Sequence, residues 1–213
     1  MKSLRVAVLA ESETDDAVAR EIVAHVRQVA VESVPVLSLR TRGWPAVVRQ
    51  LPQVVHTVYY HSDADALIVL ADTDTEVPHE PRTHAPASPR AGCRWCELNA
   101  ALRGAMSRLR EVPGRTLRTG IGTPVPAVEA WLLADHAARP SEAAWLQQGA
   151  AGKAGAVAYK RKLKQLAYGS ANPRADVPAD ASALIRRVLA IPGVLRTAFP
   201  GGYGPLEDAI RAW

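Results

Sequence analysis

Apolar residues in this chain come in short unbroken runs, separated by longer segments in which they recur every three or four positions. The runs LRVAVLAE (residues 4–11) and DALIVLADTD (residues 65–74) have the length and continuity of strands buried on both faces. Two more strands are predicted at SVPVLSLR (33–40) and RTLRTGIG (115–122). Between them lie helical patterns. In residues 12–30, Thr14 fits an N-cap and Asp15 and Asp16 a first turn, where the helix dipole favours acids, while Val18, Ile22, Val23 and Val26 recur on one face. WPAVVRQLPQVVHTVYY (44–60) predicts a second helix, broken at Pro52; CELNAALRGAMSRLREV (96–112) a third; and VPAVEAWLLADHAA (125–138) a fourth, opened by Pro124 and Pro126. Strands alternating with helices require crossover connections and hence a mainly parallel sheet flanked by helices.

Beyond about residue 140 strand signals stop. SEAAWLQQG, YKRKLKQLA, ADASALIRRVLA and GPLEDAIRAW read as helices, with the turn-rich YGSANPRADVP between the second and third. The chain is therefore expected to hold an α/β domain over residues 1–140 and a helical, basic C-terminal region over 141–213. A proline-rich loop at 76–96 interrupts the first.

Composition narrows the class. With 48% apolar content in 213 residues, a sizeable core is available. No run approaches the roughly 20 apolar residues that span a bilayer, and VAVLA near the start is too short for a signal-peptide core. The expectation is a cytoplasmic protein with no membrane role. A net charge of +5 favours a polyanionic partner, nucleic acid first. Most of that charge is arginine beside abundant Ala, Pro and Gly, a composition that a GC-rich coding sequence produces equally well.

The run ALIVLADTDTE ends an apolar strand in Asp72, Asp74 and Glu76. Ligands of open α/β sheets sit at the carboxyl ends of strands. Residues i and i+2 of an extended chain point the same way, so Asp72 and Asp74 can converge, and Glu11 joins them if its strand is the neighbour. Three such carboxylates repel one another, a conflict that a hard cation, Mg²⁺ or Mn²⁺, resolves. Aspartates after a strand are also ordinary turn formers, and Asp15, Asp16 and Glu13 read as capping and loop charges.

Glu11 with the Asp72-x-Asp74 pair resembles the Toprim domain of topoisomerases, primases and overcoming-lysogenization-defect nucleases. More narrowly, VLAESETDD, IVLADTD and VPAVEAWLLAD, in that order, resemble the bacterial Toprim-like family called domain of unknown function 4276. The resemblance covers most of residues 4–140. It departs from the Toprim pattern at Ser12, where glycine is common, and in the proline-rich insertion after Asp74. It implies a Toprim-like fold and a metal-dependent phosphoryl-transfer site at Glu11, Asp72 and Asp74. Glu129, in the VEAWLLAD motif, would support that site or hold a second ion; its alternative role is a first-turn acid of its helix. Asp135 should pair elsewhere, and Trp131, Leu132 and Leu133 should be core.

A second constellation is His79-x₄-His84-x₈-Cys93-x₂-Cys96. Two histidines and a CxxC on a loop supply the donors of a structural Zn²⁺ site, at a closer spacing than in common zinc fingers; the alternatives are a reduced, partly buried dithiol and two exposed histidines. GAAGKAG (149–155) lacks the spacing, the Ser/Thr and the preceding strand of a phosphate loop. In YKRKLKQLA, Lys160, Arg161, Lys162 and Lys164 offer phosphate contacts, or simply a solvated helix face.

Together these features lead to an expected Mg²⁺- or Mn²⁺-dependent nuclease, acting in phage defence or DNA repair. The alternatives are a non-catalytic, zinc-stabilised interaction subunit of a larger defence or repair complex, and a phospho-acceptor signalling module. The last lacks a lysine at a later strand end before residue 153.

Overall fold

The structure, a computed structural model, describes residues 3–36, 43–84, 90–149, 152–170 and 177–213. Its strands are β1 (Leu4–Ala10), β2 (Val31–Val34), β3 (Ala66–Leu70) and β4 (Arg118–Gly122). They form one all-parallel sheet in the order β2-β1-β3-β4. β3 is central and buried at all five positions, as its unbroken run of Ala, Leu, Ile and Val requires. Its register pairs Ala10 with Leu70, so β1 and β3 end side by side.

The helices are α1 (Glu13–Arg27), α2 (Trp44–His61), α3 (Arg94–Met106), α4 (Val128–Leu132), α5 (Glu142–Gly149), α6 (Gly152–Tyr168), α7 (Val177–Leu189), α8 (Val194–Ala198) and α9 (Gly204–Arg211). Strand alternation divides the interior into two cores. Val6, Val8, Ile68 and Leu70 pack with Ile22, Trp131, Leu163, Ile185, Phe199 and Leu206, so the C-terminal helices complete one face of the sheet. Ala7, Leu9, Leu67 and Val69 pack with Val47, Leu51, Val55, Leu98 and Leu102 on the other face. Each fully buried large aliphatic stabilises by about 1.5–3 kcal/mol, and truncating one such as Leu51 to alanine costs about 2–5 kcal/mol.

Several expectations need correction. The second strand lies at Val31–Val34, ahead of the predicted span: Pro35 has no amide to continue an edge ladder, and residues 37–40 fall outside the described ones. The α1 N-cap is Ser12 rather than Thr14, its hydroxyl accepting from the Asp15 amide at 3.2 Å. Helix α2 runs unbroken through Pro52, whose side chain faces solvent, where water can satisfy the carbonyl left without a partner. The helix after Pro126 is a short turn, Val128–Leu132, and α8 carried too few periodic residues to be foreseen. The turn-rich stretch after Tyr168 lies largely outside the described residues.

Candidate functional site

Because β1 and β3 are neighbours, Glu11 and the Asp72–Asp74 segment leave the sheet together at its carboxyl edge. The DTD segment is braced against the loop after β4: the amides of Thr73 and Asp74 donate to the carbonyls of Pro124 (2.8 Å) and Pro126 (2.9 Å). Asp74 has φ +53°, so its carboxylate reaches the same region as Asp72 through a turn, not by the strand alternation that the sequence suggested. Asp72 Oδ1 accepts from the Val128 amide at 3.1 Å and so ties β3 to the start of α4, where Glu129 is buried.

Cations from two other elements close over these acids. Lys160 Nζ on α6 lies 3.3 Å from Asp72 Oδ2 and also hydrogen-bonds Asp74. Arg94, the first residue of α3, pairs with Asp74 Oδ2 at 2.8 Å and donates to the Asp72 carbonyl oxygen. Lys164, one turn beyond Lys160, stands 4.0 Å from Glu129 Oε1.

Asp15 completes the group. Buried at 5% exposure, it accepts from the Ser12 hydroxyl at 2.9 Å. Burial pushes its carboxyl up to about 7 against the pull of Ser12, with Glu129 and Glu11 adding to the push. Asp72 is raised well above the usual carboxylate range, by burial first and then by Asp15, Glu129 and Glu11, while Lys160 opposes the rise. Glu11 is raised by burial and by Asp74, and its Oε1 is buried with no hydrogen-bond partner among the described residues. Burial also raises Asp74, but Lys160 and Arg94 outweigh it and hold the carboxyl low. Burial would lower the Lys160 ammonium, yet Asp72 and Asp74 keep it above its ordinary value. Tyr168 brings a buried hydroxyl without a hydrogen-bond partner among the described residues; burial and then Glu129, Asp15 and Asp72 push its pKa up.

The second constellation also comes together. His79, His84, Cys93 and Cys96 are all buried, with one potential ligand atom from each lying within 4.8 Å of the others, and this cluster could hold a metal such as zinc. His79 Nδ1 is 3.6 Å from Cys93 Sγ and 3.7 Å from Cys96 Sγ. A tetrahedral ion with bonds of about 2.3 Å to sulfur and 2.0–2.1 Å to nitrogen sets the S–N edge at about 3.6 Å. Burial lowers the His79 imidazole to about 4, leaving it neutral with a lone pair to offer. Its ring stacks on Trp95 with centroids 4.1 Å apart, and its backbone lies against Gly201. Among the described residues this is the one group of three or more His, Cys, Asp or Glu already gathered closely enough for a single ion; Glu11, Asp72 and Asp74 are not, and the Lys160 ammonium sits on the two aspartates, so an ion there has to displace it and draw the three carboxylates together.

Thus Glu11, Asp72, Asp74 and Glu129 gather at one edge, and the basic run divides. Lys160 and Lys164 face the acids, whereas Arg161 and Lys162 are exposed. Asp135 pairs with Arg187 at 2.7 Å, away from the centre, and Trp131, Leu132 and Leu133 are core, all as expected. Asp15, Arg94 and Tyr168 also belong to this centre and were not expected from the sequence. Asp15 carried a signal: a first-turn residue of the helix that follows β1 stands at the same sheet edge as Glu11. Arg94 carried one as well, lying between the two cysteines of the CxxC.

No helix among the described residues is long and apolar enough to cross a membrane. A scan against protein-family models, a search of curated proteins and a search of solved structures each found no match.

Proposed function

We propose that this protein hydrolyses nucleic-acid phosphodiesters with Mg²⁺ or Mn²⁺ held by Glu11, Asp72 and Asp74, in the manner implied by its resemblance to Toprim-like domains. The observation that carries the reading is the charge inventory. Among the described residues five carboxylates, Glu11, Asp15, Asp72, Asp74 and Glu129, face three cations, Lys160, Lys164 and Arg94, an excess of two negative charges when all are ionised. Glu11 Oε1, which no described residue partners, adds an acceptor, and all-oxygen donors suit a hard cation. When bound, such an ion polarises phosphoryl oxygens and lowers the pKa of a water.

The chain's own groups supply the rest. Lys160 already donates to Asp72 and Asp74, and phosphate oxygens accept the same donor once those carboxylates are otherwise neutralised. Asp15, held at about 7, is matched to taking up a proton near neutral pH. Arg161 and Lys162 offer sequence-independent contacts to a phosphate backbone. In the same reading His79, His84, Cys93 and Cys96 hold a structural Zn²⁺.

One observation favours a second reading. Lys160 satisfies Asp72 and Asp74 without any metal, as a non-catalytic interaction module within a defence or repair complex would require. The two are separated by incubating purified protein with single- and double-stranded DNA and RNA in Mg²⁺ or Mn²⁺. Hydrolysis that is abolished by EDTA and in Asp72→Asn supports the first reading; cleavage surviving both, or none on any substrate, removes it.

A further inference from the structure

The two constellations meet at one residue. Arg94 lies between Cys93 and Cys96 in sequence and opens α3, with Cys93 as its N-cap. Its guanidinium leaves the His/Cys cluster, passes 5.0 Å from the centre of the Trp44 ring at the start of α2, and reaches Asp74 Oδ2 and the Asp72 carbonyl. With the side chain only 11% exposed and Nε buried without a hydrogen-bond partner among the described residues, its path is fixed by its surroundings. These contacts hold the DTD turn in addition to its bonds to Pro124 and Pro126, at the point where Asp74 occupies a left-handed conformation that aspartate adopts at some cost.

We infer that the His79/His84/Cys93/Cys96 metal centre governs the acidic centre through Arg94, a positioning residue that transmits the closure of the Cys-x-x-Cys turn to the Asp72–Asp74 pair. The inference rests on the cation-binding reading of the acidic centre. It assigns the loop insertion a purpose beyond stability: a metal on the His/Cys cluster would lock the α3 N-terminus, and Arg94 would then hold the DTD turn so that Asp72 and Asp74 stay side by side for a divalent cation that displaces Lys160. Without it the turn has lost one of its two braces. Outer partners of metal-binding carboxylates typically contribute a factor of about 10–100 in affinity.

Charge alone predicts the opposite sign. A guanidinium beside the site repels a second cation, so removing it without a positioning role would tighten Mn²⁺ binding. The test measures Mn²⁺ affinity from the free-ion electron paramagnetic resonance signal, and zinc content by elemental analysis, in the wild-type protein and in Arg94→Met, Arg94→Lys, Cys93→Ser and Cys93→Ser/Arg94→Met. The expected results are zinc retained in Arg94→Met but lost in Cys93→Ser, with Mn²⁺ binding weakened about tenfold in each. Arg94→Lys, which keeps the charge but not the fork, should fall between. The double variant should be no weaker than either single one, as for residues acting in series. Unchanged or tighter Mn²⁺ binding in Arg94→Met, or additive losses in the double variant, would overturn the inference. Should Cys93→Ser fail to fold, His84→Asn takes its place. Wild-type protein that binds no Mn²⁺ overturns the acidic-centre reading itself, and is thereby told apart from a failure of the coupling alone.

Discussion

A methyl group added at Gly201 tests how the His/Cys cluster is held. A Cβ there would stand 1.7 Å from the His79 carbonyl oxygen and 2.8 Å from its carbonyl carbon. Real Cβ contacts essentially never fall below 3.0 Å, so the two backbones must separate by about 1.3 Å or more. The Gly201 side is poorly able to yield: Glu142 accepts from the amides of Gly201 (3.0 Å) and Gly202 (2.6 Å), anchoring the loop to α5. Most of the displacement therefore falls on His79, whose nitrogen must sit within about 0.2 Å of its ideal distance from a bound ion. Overpacking of this kind costs about 1–3 kcal/mol. If 1.4 kcal/mol of it is borne by the metal-bound state alone, zinc affinity falls tenfold. Gly201→Ala should thus weaken zinc binding by about 10- to 100-fold in competition with a chromophoric chelator, and lower the melting temperature by about 2–4 °C per kcal/mol of strain. Unchanged zinc affinity in a folded Gly201→Ala protein would refute the placement of His79.

Three further outcomes are expected. Lys160→Met removes the ammonium that competes for Asp72 and Asp74, so the thermal shift on adding Mn²⁺ should exceed that of the wild type; a smaller shift would mean that Lys160 holds the two carboxylates in place rather than competing for them. Asp15 and Glu142, both raised to about 7 when folded from an ordinary value near 4, bind protons that the unfolded chain has released, so their stabilisation is complete below about pH 4 and lost as pH rises through 7. The melting temperature without divalent cations should fall between pH 5 and 8, and Mg²⁺ should offset the fall most at the alkaline end; a rise across that range would contradict the assignment. Replacing Arg161 and Lys162 with glutamine should weaken binding alike for all nucleic-acid sequences and flatten the salt dependence by about 0.9 per lost contact on duplex DNA, which filter binding at graded salt will detect.

The parts of this structure that could be read from sequence are those in which local pattern and burial coincide. Leu67–Leu70 read as a strand because a parallel strand covered on both faces must be apolar throughout, and Glu11 could be placed beside Asp72 once adjacency of their strands was assumed. The His79–Cys96 cluster was legible because donors close in sequence converge whatever the loop does between them. Lys160 was not: its partner lies 88 residues away, and a basic helix face looks the same whether it meets water or an acidic centre. Asp15 was hidden by its own suitability as a first-turn acid, since a capping role accounts for the residue type without any reference to Glu11 and Glu129 nearby. Pro52 misled because helix propensity counts a proline as a break whichever way it faces, and here it faces solvent.

The central claim is that Glu11, Asp72 and Asp74 take a divalent cation in place of the Lys160 ammonium. Its most direct test is anomalous diffraction from crystals grown in Mn²⁺ at slightly alkaline pH, recorded between the manganese and zinc absorption edges. The expected result is a manganese peak bounded by those three carboxylates, with Lys160 withdrawn from Asp72 and Asp74. Crystals that take up manganese elsewhere or not at all, with Lys160 still bonded to both aspartates, would contradict it.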